Sequence, residues 1–104
     1  MRVFGTGTLG RRAQYVVRND ERFTDVLAVE EDRALLLYQP LTAVPGAVWT
    51  PYYSEWARMS PVDENLYRLD HLALTGQWQQ LDIIRPLEGC IHAISENAYH
   101  LFFP

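Results

Sequence analysis

Three arrangements of residues in this chain have the types and spacing to do chemistry: Cys90 with His92, the dipeptide Asp70-His71, and Gly5-Thr6-Gly7-Thr8-Leu9-Gly10. On a strand, residues i and i+2 project from one face. A Cys90 thiolate and the His92 imidazole would then make a nucleophile–base pair, with Asp70, Asp82 or Glu96 orienting the ring. That reading is a small Cys/His-dependent hydrolase or transferase. The competing expectation is a small apolar cysteine filling the core, with histidine at a strand edge. It is favoured, because activated cysteines tend to sit at helix N-termini and no helix is predicted to start at Cys90.

The remaining chemical candidates are weaker. Cys90, His92, His71 and His100 lack the paired short spacings of a zinc site, so no metal and no cofactor is expected. Asp70-His71 would work as an acid–base unit in a cleft, but such a dipeptide is also ordinary surface. Ser54 and Ser60 have no nearby histidine and no Gly-x-Ser-x-Gly context. The glycine motif fits G-x-G-x-x-G, with Glu30 downstream as the ribose-binding acid of a dinucleotide site. Against it, the preceding strand holds only Val3 and Phe4 as apolar residues. The helix would have to run through Tyr15-Val16-Val17, and no further βα unit follows. The expectation is a turn rather than a nucleotide site.

Binding chemistry is better represented. Trp49-Thr50-Pro51-Tyr52-Tyr53-Ser54-Glu55-Trp56 packs four large aromatics into eight residues. Trp49 and Trp56 read as a core plug beside Tyr38 and Phe23. Tyr52 and Tyr53 point different ways on a helical turn, so one of them is expected to be exposed, with Arg58 or Arg68 stacked on it. The candidate binding set is Tyr52, Tyr53, Trp56 and Arg58.

Composition narrows the partner. Apolar residues make up 48% of the 104-residue chain and charged residues 21%, a globular balance that fits one domain over 1–104. The longest apolar run, Ala34-Leu35-Leu36-Leu37-Tyr38, is far too short to span a membrane, and no secretory leader is visible at Met1-Arg2-Val3-Phe4. A lone cysteine cannot close an internal disulfide. These features predict a cytoplasmic protein of bacterial type. Net charge is −4 and all nine cations are arginine, which fits Arg-favouring codon usage. The Arg11-Arg12 cluster is diluted by acids, which disfavours nucleic acid as a partner.

The elements that must position these residues read mainly as strands: 13–18, 23–29 and 33–39, with a turn at Glu30-Glu31-Asp32 and Pro40 closing the third. Pro45-Gly46 is a turn signal before a short strand 47–49. Thr50-Pro51 has the form of an N-cap and first helical residue. Tyr52, Trp56 and Met59 then make the stripe of a helix over 51–59 that Pro61 ends. Residues 60–74 read either as a helix opened by a Ser60 capping box or, preferably, as a turn at Asp63-Glu64-Asn65 and a strand over 66–74. The latter pairs with 78–84 through Thr75-Gly76. Segments 90–95 and 98–103 read as a hairpin, and Leu101-Phe102-Phe103-Pro104 as a dimer contact or a last core strand.

Tyr38, Leu41, Trp49, Pro51 and Trp56, with Val26-Leu27-Ala28-Val29 before them and Arg68-Leu69 after, resemble a family of small, uncharacterised bacterial SH3-like β domains. The resemblance covers residues 23–70 and implies a bent barrel, with no chemistry attached. The fold expected is therefore mainly β, with α+β as the alternative: an SH3-like bent barrel or sheet with one short helix and a C-terminal β-hairpin extension. The function expected is an acidic, non-enzymatic protein-binding domain of adaptor, immunity or inhibitor type, its partner another protein or a second copy of itself.

Overall fold

Apolar side chains at helical spacing, not β-propensity, decide the first helix. Leu9, Ala13 and Val17 recur every four residues and are all buried, so residues 13–16 of the segment expected as a strand over 13–18 lie instead in a helix that Val17 caps, its stripe facing the core. Burial outweighs the β-branched pair Val16-Val17. The structure, a computed structural model, describes residues 1–40 and 53–104. In chain order the elements are β1 (Arg2–Phe4), α1 (Thr8–Val16), β2 (Leu27–Glu31), β3 (Ala34–Pro40), β4 (Tyr53–Asp63), β5 (Leu66–Leu72), β6 (Trp78–Arg85) and α2 (Leu87–Ser95). Short 3-10 turns occupy Glu21–Phe23 and Ala98–His100.

The mainly β class holds. The strands form one six-stranded sheet in the order β1-β2-β3-β4-β5-β6. β1 runs parallel to β2, as α1 between them requires, and every later neighbour is antiparallel. Strand β2 begins at Leu27 rather than Phe23, and the turn into β3 falls on Asp32-Arg33. Both have positive φ, 50° and 64°, as a two-residue hairpin of right-handed twist demands. The strand reading of 66–74 and its pairing with 78–84 are both realised.

Two further expectations fail. Residues 53–59 belong to β4, not to a helix. Leu37 pairs with Ala57 but Tyr38 with Glu55, so Trp56 is an extra, bulged residue. The bulge turns Trp56 and Met59 inward at i and i+3, a spacing that imitates a helix. Pro61 lies inside β4 just before a second register shift, a place where its missing N–H is tolerated. Residues 90–103 are not a hairpin. Leu87, Cys90, Ile91 and Ile94, all buried, form an i, i+3, i+4, i+7 stripe that Pro86 starts. After it Asn97, in the left-handed region at φ 57°, reverses the chain. Its side-chain oxygen accepts from the N–H groups of Phe102 and Phe103 at 2.9 Å each, and its amide donates to the Phe103 carbonyl at 2.9 Å. The strand over 47–49 and the Thr50-Pro51 cap lie outside the described residues.

Both helices contribute to one core with the inward residues Leu35, Leu37, Met59, Leu69 and Ile83. The two glycines of α1's start and first turn allow close approach. A Cβ on Gly10 would lie 2.7 Å from Val3 Cγ1, and one on Gly7 would overlap the Glu30 carboxylate. Gly10→Ala is therefore expected to prise β1 from α1 and cost about 2 kcal/mol, as overpacking does. The urea midpoint measures it, with Thr6→Ala, at an exposed position, within about 0.5 kcal/mol of the parent.

Candidate functional site

Because side chains alternate across a strand, placing both helices on one face leaves the other to a defined set of residues. Val29, Leu36, Arg58, Asp70 and Gln80 are successive cross-strand partners over β2 to β6. Leu27, Tyr38 and Glu55 form a parallel row, Tyr53 sits opposite Pro40, and Leu72 opposite Trp78. Among the described residues this second face is neither core nor ordinary polar surface. Leu27, Val29, Leu36, Tyr38, Tyr53, Leu72 and Trp78 are half-buried, and Phe4 on β1 is 69% exposed.

At the centre of the face Asp70 is fully buried under two arginines. Arg58 Nη2 donates to Asp70 Oδ2 at 3.2 Å, and Arg68 Nη2 reaches the same oxygen at 3.5 Å. Arg68 Nε stands 3.3 Å from Oδ1, near enough for an ion pair but off the hydrogen-bond line, so among the described residues Oδ1 and both arginine Nε atoms have no hydrogen-bond partner. The Arg58 guanidinium lies 4.3 Å over the Trp78 ring, a cation–π stack that holds it flat. Tyr38, beside this cluster, has its hydroxyl pKa raised by burial and then by the Glu55 and Glu31 carboxylates.

Of the predicted binding residues, Tyr53 and Arg58 share this face, and Tyr52 lies outside the described residues. Trp56 is on the opposite side, only 3% exposed. Its ring packs on Phe23, Phe102 and Phe103 at 6.1, 5.6 and 5.3 Å between centroids, so it is a core residue with no surface to offer. Tyr38, expected beside the tryptophans in the core, belongs instead to the second face. Trp78, Leu36 and the arginine pair as a unit escaped the sequence reading. The signal that would have found them is alternation: once 66–72 is a strand, Arg68, Asp70 and Leu72 share one face.

The chemical constellations are dispersed. A helix sets residues i and i+2 about 200° apart, so Cys90 points into the core while His92 is exposed. Cys90 Sγ donates to the carbonyls of Tyr67 and Arg85 at 3.4 and 3.6 Å, and burial pushes its pKa up to about 11. Asp70 faces the other side of the sheet; Asp82 and Glu96 are exposed. His71 turns toward the core, its ring 5.1 Å from that of Phe102, and burial lowers its pKa. His100 is exposed, and among the described residues no three His, Cys, Asp or Glu side chains gather to hold a metal ion.

The glycine motif does join a strand to a helix and a parallel strand, and α1 does run through Tyr15 and Val16. Its anion position, however, is taken. Glu30 Oε1 accepts from the Leu9 N–H at 3.2 Å, so the chain's own carboxylate caps α1 where a phosphate would lie. The later strands pair antiparallel, so among the described residues no second parallel β-α-β crossover completes a dinucleotide fold.

No protein-family model, curated protein or solved structure matches this chain at a significant level.

Asp70→Asn is expected to cost about 3 kcal/mol, because it leaves two guanidinium groups facing a neutral, buried amide. Glu55→Gln, at an exposed position on the same face, should stay within about 0.5 kcal/mol in the same urea titration. Because the Cys90 pKa is raised, the thiol is protonated at neutral pH. Alkylation by iodoacetamide should be slow at pH 7 and accelerate only as the pH approaches that value or the protein is unfolded. Rapid labelling of the folded protein at pH 7 would contradict this burial.

Proposed function

We propose that this is an acidic, non-enzymatic protein-binding domain that receives its partner on the second face of the sheet. The observation that carries the reading is the composition of that face. Half-exposed aliphatic and aromatic side chains surround a stacked arginine–tryptophan pair, opposite a face already covered by both helices. Aromatic and arginine side chains are the residue types that anchor protein interfaces. An apolar patch rimmed by polar residues is a typical docking surface. The adaptor, immunity or inhibitor role belongs to the same proposal, since a net charge of −4 suits a basic partner at long range.

A cytoplasmic setting goes with it; among the described residues no helix is long and apolar enough to cross a membrane. The likeness of residues 23–70 to SH3-like domains is compatible in one respect. β2 to β5 are consecutive antiparallel strands with an aromatic face, across which an extended segment would lie.

Photocrosslinking in the host cell tests the proposal. A benzoylphenylalanine replacing Tyr53 should give a discrete adduct, with a partner or a second copy. The same probe replacing Tyr15, exposed on α1's outer surface, should not. Trp78→Ala should abolish the adduct while the thermal midpoint shifts by no more than about 5 °C. Equal labelling from both positions, or none from position 53, would overturn the reading.

A further inference from the structure

The charge at the centre of the second face is unbalanced. Asp70 supplies one negative charge to two guanidinium groups, and Arg58 and Arg68 retain 31% and 33% of their side-chain exposure. Half-buried arginines among Leu36, Leu72 and Trp78 are poorly hydrated, and one cation there has no carboxylate of its own. One carboxylate is shared; its Oδ1 and both Nε atoms are buried and, among the described residues, unpaired, so an incoming group meets the part of the two guanidinium side chains that stays exposed. The pair is nevertheless held in place. Asp70 ties both groups from below, and the Trp78 ring fixes the plane of Arg58. Preorganised guanidinium forks of this kind select planar anions, carboxylates above all.

We infer that the partner segment docking on this face carries an acidic side chain, Asp or Glu, flanked by apolar residues, and that its carboxylate binds the Arg58–Arg68 pair over Asp70. The inference rests on the docking reading above and adds the chemistry of the occupant. The flanking apolar residues would cover Leu36 and Trp78, and the acid would supply the missing counter-charge. Overall acidity would attract a basic partner at long range. This local site asks for the opposite charge at contact, so the two effects are separable.

The test is a titration of the nitrogen-15-labelled full chain with two capped tripeptides, leucyl-glutamyl-leucine and leucyl-glutaminyl-leucine. The signals to follow are the Trp78 indole N–H and the Arg58 and Arg68 Nε–H groups. The glutamyl peptide should bind at least about fivefold more tightly, the advantage of one charge-assisted hydrogen bond over a neutral one. The gap should shrink with added salt and close in Arg68→Gln. Arg58→Lys keeps the charge but loses the flat stack, and should narrow the gap; it serves if Arg68→Gln does not fold. Equal binding of the two peptides would overturn the carboxylate inference and leave the docking reading standing. No response of these signals to either peptide would also overturn it, while the crosslinking result from position 53 judges docking separately.

Discussion

A carboxylate with no water around it has to find cations, and Asp70 at the middle of β5 finds two. Its burial fixes much of the second face: Arg58 must reach across from β4, Arg68 must fold back along β5, and Trp78 must lie beneath the Arg58 plane. Removing two charges from water is costly, and their mutual attraction repays it only with good geometry. Among the described residues one oxygen and both Nε atoms find no hydrogen-bond partner, so the arrangement is not an optimised piece of core. That imbalance distinguishes this face from a patch of exposed aliphatic residues, and the carboxylate inference depends on it.

The opposite face is held together by other means. Phe23, Trp56, Phe102 and Phe103 meet edge to face, the geometry aromatic quadrupoles prefer. Asn97 holds the closing segment by three hydrogen bonds. Arg22 adds a second clamp: it forks onto Asp20, donates to the Ser95 carbonyl at 2.6 Å and stacks on Phe103. Asp20 is held at a pKa of about 2 by these bonds, the Arg22 hydrogen bond first. The final residues thus belong to the core, with tail, helix end and bulged strand locking one another.

Strands 33–39, 66–74 and 78–84 were legible from the sequence because each alternates or is bounded by a turn or proline. Three elements were misread, each for an identifiable reason. Val16 and Val17 suggested a strand, but the Leu9–Ala13–Val17 spacing buries a helix. Trp56 and Met59 suggested a helix because a bulge adds a residue between inward positions. Cys90 to Ser95 suggested a strand because the stripe that makes it helical begins earlier, at Leu87. Of the residues on the second face, the sequence named Tyr53 and Arg58 as candidates but not Trp78. A cross-strand partner is invisible until the register is known.

Residue types and local spacing by themselves determined that this is a mainly β chain, acidic and rich in arginine. They also supplied its one thiol and a protein-binding expectation centred on aromatic and arginine residues. Local free energies suffice for that, since turn residues, alternation and composition act over a few positions. Only the tertiary structure decided which face each residue occupies: Trp56 and Cys90 inward, His92 outward, and Arg58, Arg68, Asp70 and Trp78 together. A single bulge reverses the facing of every residue beyond it. A buried carboxylate is stable only where strands distant in sequence bring its counter-charges.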